Sequence, residues 1–211
     1  MNRRSLLLSA LYLGAFLSLS TLGGMPGVAQ SVDVNAILND PDAPTAGNPR
    51  GDVTIVSFFD YNCPYCKKSA PELEKFARTD GNIRVVYKDW PILGEASLRA
   101  ARSALAANYQ GQYEQVHTVL LANLGPHISS EQMEQAIEKS GVDMGRLHAD
   151  LEAHGADIDA LLKRNAEQAA AMGLQGTPVY LIGPFLAAAP LDYSAFKQAV
   201  AKLRAGGKPA R

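Results

Sequence analysis

Residues 58–76 read FFDYNCPYCKKSAPELEKF and contain both cysteines of the 211-residue chain. Residues 53–59, which lead up to the pair, are β-branched, aromatic and almost wholly apolar, as is typical of a buried central strand. Beyond the first cysteine, small and apolar side chains recur at helical spacing and share one helix face: Cys66, Ala70, Leu73 and Ala77. The pair is therefore predicted to lie where a strand passes into a helix.

The rest of the chain predicts an α/β fold around this segment. Residues 83–87 are β-branched and follow the helix, so strand, helix and strand form a βαβ unit. Residues 94–173, approximately, have mostly helical periodicity and form an inserted helical subdomain. Strand character returns at residues 179–182, with a weaker strand after it, and Asp192 caps a last helix.

The N-terminal residues indicate export. Residues 1–29 combine a basic start, an uncharged stretch rich in Leu, Ala and Ser, and a small-residue end, which predicts a secretory signal peptide cleaved after Ala29. Residues 30–50 are rich in Pro, Asn, Asp and Gly and are predicted to be a linker, with one helical turn near residues 34–38. Residues 51–211 are then expected to form one domain.

Charge and hydropathy exclude several kinds of partner. The chain has 20 basic and 21 acidic residues, and the predicted leader contains no acidic residue. This mildly acidic balance argues against nucleic acid or an anionic membrane surface as the main partner. After the leader no apolar run approaches the length of a membrane span, so no stable membrane insertion is expected. We expect a soluble, exported protein in an oxidising compartment.

Three interpretations of the cysteine pair compete. A structural zinc site needs four ligands, and the four histidines lie at no ligand-like spacing from the pair. A purely structural disulfide would close a very short loop and remove little entropy from the unfolded chain. A reactive dithiol agrees best with the position of the pair at a helix start.

The two thiols are expected to differ. Cys63 lies at the start of the helix, with Pro64 suited to its first position. Unpaired backbone N–H groups and the positive end of the helix dipole would stabilise the Cys63 thiolate. Lys67 and the next lysine, expected to be exposed, would add a modest positive charge. Cys66 lies one turn later on the apolar face, so Cys63 is predicted to be the nucleophile and Cys66 the resolving thiol.

Three features together resemble a known family: VSFFDYNCPYC at residues 56–66, the helical insertion, and GTPVYLIG at residues 176–183. They are similar to the thioredoxin-fold DsbA-like proteins of bacterial envelopes, over about residues 51–205. The branch with Thr before the late proline, which includes suppressor-of-copper-sensitivity protein C, is the most similar. The resemblance implies a cis peptide at Thr177–Pro178, and a Thr177 backbone that pairs with an extended client segment beside the nucleophile.

The chain departs from that family's pattern at two positions. Family members often have an acidic residue where this chain has Ser57. If that acid normally helps to move the Cys66 proton, either a water molecule or Lys88 substitutes for it here, or turnover is slower. The residues between the cysteines are Pro64 and Tyr65, whereas the best-known oxidant has Pro-His. Because Tyr65 adds no positive charge beside the nucleophile, a less extreme oxidant is expected.

These observations predict a periplasmic protein thiol–disulfide oxidoreductase that introduces or exchanges disulfides in envelope proteins and needs no bound cofactor or metal. Cys63 and Cys66 would react, Pro64 and Tyr65 would support the site, and Thr177-Pro178 would contact the client. The expected partners are unfolded or thiol-containing envelope proteins and, by resemblance, a membrane redox partner. One alternative is a disulfide isomerase or reductase kept reduced. Another is a copper-binding envelope protein, since two soft thiolates can hold Cu(I).

Overall fold

The computed structural model describes residues 32–122, 125 and 128–206. The predicted signal peptide, residues 1–29, lies outside the described residues. In the described part of the chain, no helix has both the length and the apolar character that crossing a bilayer requires. The description below therefore concerns the domain that follows the predicted leader.

A mixed sheet with strand order β1-β3-β2-β4-β5 forms the centre of the domain. Its strands are β1 (Thr45–Gly47), β2 (Val53–Phe59), β3 (Ile83–Asp89), β4 (Val179–Ile182) and β5 (Phe185–Ala187). The central neighbours β2 and β3 are parallel, and the other neighbouring pairs are antiparallel. The predicted βαβ unit is thus confirmed, and the late strand is added beside β2.

The helices lie on both faces of this sheet and in a block between β3 and β4. They are α1 (Val34–Leu38), α2 (Pro64–Asp80), α3 (Glu95–Asn108), α4 (Tyr113–Leu121), α5 (Ser130–Lys139), α6 (Met144–Ala171) and α7 (Tyr193–Arg204). The helices α3 to α6 confirm the predicted helical insertion. The active-site helix α2 ends at Gly81, whose left-handed φ of 75° suits a residue without a Cβ.

Successive side chains of β2 face opposite sides of the sheet, as the pleat of a strand requires. Ile55 and Phe59 pack in the larger apolar cluster, which includes residues of α2 and α7. Val56 and Phe58 pack in a second cluster with residues of α1 and the end of α6. All four are buried, and burial of each such side chain contributes about 1.5–3 kcal/mol. The strand that leads into the cysteine pair is therefore covered on both faces.

The predicted linker at residues 30–50 is wrong for its described part, residues 32–50. The expected helical turn is α1, and its Ile37 is buried in the second cluster. The strand β1 pairs antiparallel with β3, and a carboxylate oxygen of Asp40 lies 2.6 Å from Nζ of Lys88. These partners lie far along the chain, so the local Pro- and Gly-rich composition does not reveal them.

Candidate active site

Cys63 caps the N-terminus of α2. Its backbone is extended, with φ −77° and ψ 116°, and Pro64 occupies the first turn of the helix. The Cys63 N–H donates to the Asp60 carbonyl at 3.1 Å, which closes the turn that follows β2. The Cys63 carbonyl accepts from Lys67 N–H at 3.1 Å and begins the helical hydrogen bonds. This geometry aims the sulfur at the unpaired N–H groups of the first helical turn.

The Cys63 sulfur has hydrogen-bond partners on two sides. It accepts from the Cys66 backbone N–H at 3.4 Å, and its thiol donates to the Thr177 carbonyl at 3.2 Å. Hydrogen bonds lower the pKa of Cys63 to about 6, although burial acts to raise it. The largest lowering comes from the Cys66 thiol, and smaller ones come from the Thr177 side chain and from backbone N–H groups. The expected backbone contribution is present, but the neighbouring thiol contributes more.

Cys66 has the opposite protonation preference. Burial raises the pKa of the Cys66 thiol strongly, and a charge on Cys63 raises it further. The two residues are almost equally buried, at 3% and 1% exposure. Burial is the largest cause of the raised pKa of Cys66, whereas hydrogen bonds to the Cys63 sulfur outweigh the effect of burial on its pKa. Cys63 is the more acidic thiol, and Cys66 keeps its proton.

A groove beside Cys63 brings together three of the four remaining predicted site residues. The peptide bond between Thr177 and Pro178 is cis, and both residues line a groove of about 480 Å³. Tyr65 and Leu186 also line it and are 60% and 51% exposed. Pro64, by contrast, lies exposed on α2 outside this lining. The site thus combines a reactive thiol, a cis peptide segment that contacts it and an apolar rim.

Two buried polar residues that the sequence analysis missed support the turn before Cys63. The Asp60 carboxylate accepts four hydrogen bonds, each of 2.7 to 2.9 Å, from Asn62 N–H, Ile92 N–H, Leu93 N–H and the Ser97 hydroxyl. The Asn62 side chain accepts from Ile128 N–H at 2.9 Å and donates to the Ile128 carbonyl at 3.2 Å. The sequence signal for these hydrogen bonds is the presence of Asp60 and Asn62 within three residues before Cys63.

Lys67 differs from its expected exposed position. The residue is buried, and its ammonium group donates to the Gly125 carbonyl at 2.9 Å. Burial lowers the pKa of Lys67, and the charges of Asp60 and the two cysteines oppose that change. Lys67 therefore joins α2 to the segment after α4 and brings a cation to the thiols. Its long-range acceptor gives no local sequence signal.

Lys88 does not substitute for the missing strand acid. It pairs in register with Phe58, whereas Ser57 pairs with Tyr87, and successive residues of a strand face opposite sides. Ser57 lines a small cavity together with Cys66, while Lys88 forms its ion pair with Asp40. The expectation that Lys88 moves the Cys66 proton is therefore wrong, because Lys88 lies on the other face of the sheet.

The side chains that the structure describes do not gather into a metal-binding cluster. In residues 32–122, 125 and 128–206, no group of three or more His, Cys, Asp or Glu side chains is arranged to hold a metal ion. A structural zinc site needs four ligands, and the cysteine pair supplies two. The chemistry that this arrangement offers is that of two unequal thiols beside an open groove.

Solved structures of similar proteins have related folds. A thioredoxin-like oxidoreductase from Silicibacter pomeroyi DSS-3 is 38% identical with a TM-score of 0.76, and the match covers 82% of this chain and 98% of that chain. The thiol-disulfide exchange protein alpha-DsbA2 from Wolbachia pipientis is 28% identical with a TM-score of 0.75, covering 80% and 91%. The catalytic domain of Proteus mirabilis ScsC is 26% identical with a TM-score of 0.72, covering 84% and 97%.

Sequence comparisons find antiporters that this chain matches in part, and one family model. The curated Na(+)/H(+) antiporter NhaA 1 of Salinispora arenicola is 27% identical over 161 residues, or 74% of this chain. The chain spans about a quarter of the length of the antiporter relatives that it matches first. The site and the similar structures support a thiol–disulfide oxidoreductase. Because a family model described as Thioredoxin matches residues 39–202, the chain belongs to the thioredoxin family, among its DsbA-like proteins.

Proposed function

We propose that this protein exchanges disulfides with other proteins, with Cys63 as the reacting sulfur and Cys66 as the resolving one. The observation that carries the proposal is the pair of opposed protonation preferences, with the pKa of Cys63 lowered to about 6 and that of Cys66 raised by burial. A stabilised Cys63 thiolate favours the reduced form, so the Cys63–Cys66 disulfide oxidises other thiols.

In the oxidising direction, a client thiolate attacks the Cys63 sulfur of the enzyme disulfide. The Cys63–Cys66 bond breaks, and Cys66 leaves as a thiolate that takes up a proton. A second client thiolate then attacks the client sulfur of the mixed disulfide. The client disulfide forms and Cys63 leaves as a thiolate, so the client loses two electrons and the enzyme gains them. The low pKa of Cys63 makes it a good leaving group.

The groove beside Cys63 would hold the client. Its backbone at Thr177 would pair with an extended segment, as the family resemblance implies. The exposed Tyr65 and Leu186 at its rim would contact apolar side chains, which unfolded proteins expose. Pro64 would support the site by starting α2 directly after Cys63. The proposed clients are therefore unfolded or thiol-containing proteins rather than small molecules.

We place this activity in the periplasm, because residues 1–29 have the pattern of a signal peptide. The proposed membrane redox partner, which would restore the Cys63–Cys66 disulfide, follows from the family resemblance. An isomerase or reductase role would require the protein to be kept reduced, and its reduction potential separates these directions.

Client trapping tests the proposal. The Cys66→Ala variant, produced without the predicted signal peptide and mixed with reduced and unfolded envelope proteins under mild oxidation, should accumulate mixed disulfides through Cys63. The Cys63→Ala variant is the matched control and should trap far fewer clients. An equilibrium with glutathione gives the reduction potential of the wild-type pair. If Cys66→Ala forms no mixed disulfide, or if the reduced protein binds Cu(I) tightly without any dithiol oxidation, the proposal fails.

A further inference from the structure

A small cavity lies beneath Cys66. Its volume of about 10 Å³ is close to the ~10–15 Å³ that one water molecule requires. Its polar lining comes from five elements: Ser57 of β2, Cys66 and Glu74 of α2, Tyr87 of β3, His117 of α4 and Tyr180 of β4. In the part of the chain that the structure describes, Glu74 is the only carboxylate in this lining. The cavity thus connects the resolving thiol with a single acidic side chain.

The exchange reaction requires a proton to enter or leave Cys66. The thiol is almost fully buried, at 1% exposure, so bulk water has little direct access to it. Burial also keeps Cys66 protonated at neutral pH, although its thiolate is the attacking species in the resolving step. A nearby group that exchanges protons with solvent would therefore accelerate this step.

Glu74 lies where it can exchange the Cys66 proton with solvent. It lies two turns after Cys66 on α2, and eight helical residues rise about 12 Å. Helical side chains lean towards the N-terminus, and two intervening residues of α2, the small Ala70 and the apolar Leu73, also line the cavity. Glu74 is half-buried and lines a surface groove of about 730 Å³ as well. It therefore reaches both the enclosed cavity and the protein surface.

The other titratable groups around Glu74 are less suited than Glu74 to carry the proton. The charged and titratable ones are Cys66 and Arg78 of α2, Tyr87 of β3, Glu114 and His117 of α4, Lys139 of α5 and Tyr180 of β4. Burial and the charge of Glu114 raise the pKa of Glu74, and Arg78 partly offsets them. Burial lowers the pKa of His117 to about 3, which makes it a weak base. Burial raises the pKa of both tyrosines, so they remain protonated.

We propose that Glu74 carries the Cys66 proton between the buried thiol and solvent, through a water molecule in the cavity; this rests on the proposed disulfide exchange. When reduced protein reacts with a disulfide, the Cys66 thiol gives its proton to the Glu74 carboxylate. The Cys66 thiolate attacks Cys63, the bond from Cys63 to the bound partner breaks, and the partner leaves as a thiolate. Glu74 then releases the proton to solvent at the surface groove.

Oxidised glutathione provides a test in which the two chemical steps are measured separately. Reduced protein is mixed with it, quenched with acid at successive times and weighed by mass spectrometry. The masses distinguish the glutathione mixed disulfide on Cys63 from the completed Cys63–Cys66 disulfide. Glu74→Gln should slow collapse of the mixed disulfide at least about tenfold near neutral pH, within the ~10²–10⁴ typical of proton-transfer groups. The rate of mixed-disulfide formation should stay unchanged.

Matched variants complete the experiment. Glu114→Gln removes the neighbouring carboxylate, which lines the surface groove but not the cavity, and should collapse at nearly the wild-type rate. Glu74→Asp should retain part of the rate and provides the test should Glu74→Gln fail to fold. In Glu74→Gln, collapse should rise with hydroxide concentration, as expected when solvent removes the proton.

Two other outcomes have different meanings. Equal collapse rates for the wild type and a folded Glu74 variant across about pH 5 to 9 would overturn the role of Glu74. Formation of no mixed disulfide by the wild type would instead overturn the proposed disulfide exchange itself, and with it the need for a proton carrier.

Discussion

The Cys63 sulfur lies 3.2 Å from the carbonyl oxygen of Thr177, although the two residues are 114 positions apart in the chain. The first belongs to the start of α2, and the second lies in the segment that leads into β4. Since β4 pairs with β2, the strand that precedes the cysteines also determines where Thr177 comes to lie. This contact joins the reactive thiol to the backbone that is proposed to bind the client.

Replacing Thr177 with valine should weaken the stabilisation of the Cys63 thiolate. The Thr177 side chain is one of the groups that lower the pKa of Cys63, and a hydrogen bond of about 0.5–1.5 kcal/mol corresponds to roughly 0.4–1 pKa unit. The pKa should rise by about that amount, as measured from alkylation rates against pH. Thr79→Val, at the opposite end of α2 from Cys63, is the control. An unchanged profile for Thr177→Val would contradict this contribution.

The Cys66→Ala variant should raise the pKa of Cys63 by more than Thr177→Val does. The Cys66 thiol is the largest contributor to the lowered pKa of about 6, and hydrogen bonds to charged groups are worth about 1.5–3 kcal/mol, or roughly one to two pKa units. Alkylation rates should reach half of their maximum near pH 6 in the wild type and at clearly higher pH in the variant. Coincident midpoints would show that backbone groups dominate instead.

The same thiolate links stability to pH in the reduced protein. Because the folded pKa of Cys63 lies below the ordinary thiol value of 9.0, ionisation contributes stability that is complete above the unfolded pKa and is lost as pH falls through about 6. The unfolding free energy of the reduced wild type, compared with Cys63→Ala, should therefore rise between those two values. Denaturant unfolding at a series of pH values measures the difference, which should be flat at lower pH.

Tyr65→His should make the protein a stronger oxidant. Tyr65 lies at the rim of the site and is 60% exposed, so a histidine there has room and adds positive charge near Cys63 when protonated. The Cys63 pKa should fall and the reduction potential should rise, as measured by equilibrium with glutathione. Tyr65→Phe is the control for loss of the hydroxyl. A potential for Tyr65→His equal to that of the wild type would contradict the charge argument.

Lys88→Met should lower the stability of the protein without changing the reaction of the cysteine pair. Lys88 is fully buried and ion-paired with Asp40, and removal of one partner from a buried pair costs about 3–5 kcal/mol. Urea unfolding should show that the free energy of unfolding falls by up to that amount. The loss is smaller to the extent that Arg164 continues to neutralise Asp40. The collapse rate of the mixed disulfide should not change, because Lys88 faces away from Cys66. Slower collapse in a folded variant would restore Lys88 as a candidate proton carrier.

Local patterns in the sequence predicted much of the fold and the reactive pair. The apolar run before the cysteines, the helical spacing after them and the strand–helix ending are confirmed, because each depends on neighbours within about two helical turns. The same patterns misassigned residues 32–50 and the exposure of Lys67. Both depend on partners that lie far along the chain, and nothing in the neighbouring residues identifies them.

The sequence by itself determined that one cysteine begins a helix behind a buried strand, since backbone periodicity is a short-range property. Only the tertiary structure decided that Thr177 meets Cys63, that Lys88 lies on the opposite face from Cys66, and that Glu74 shares a cavity with the resolving thiol. These relationships follow from strand register and from the packing of α2 and α4 against the sheet. They form when segments that are distant in the chain pack against one another and exclude water. The spacing of residues along the chain does not specify which segments do so.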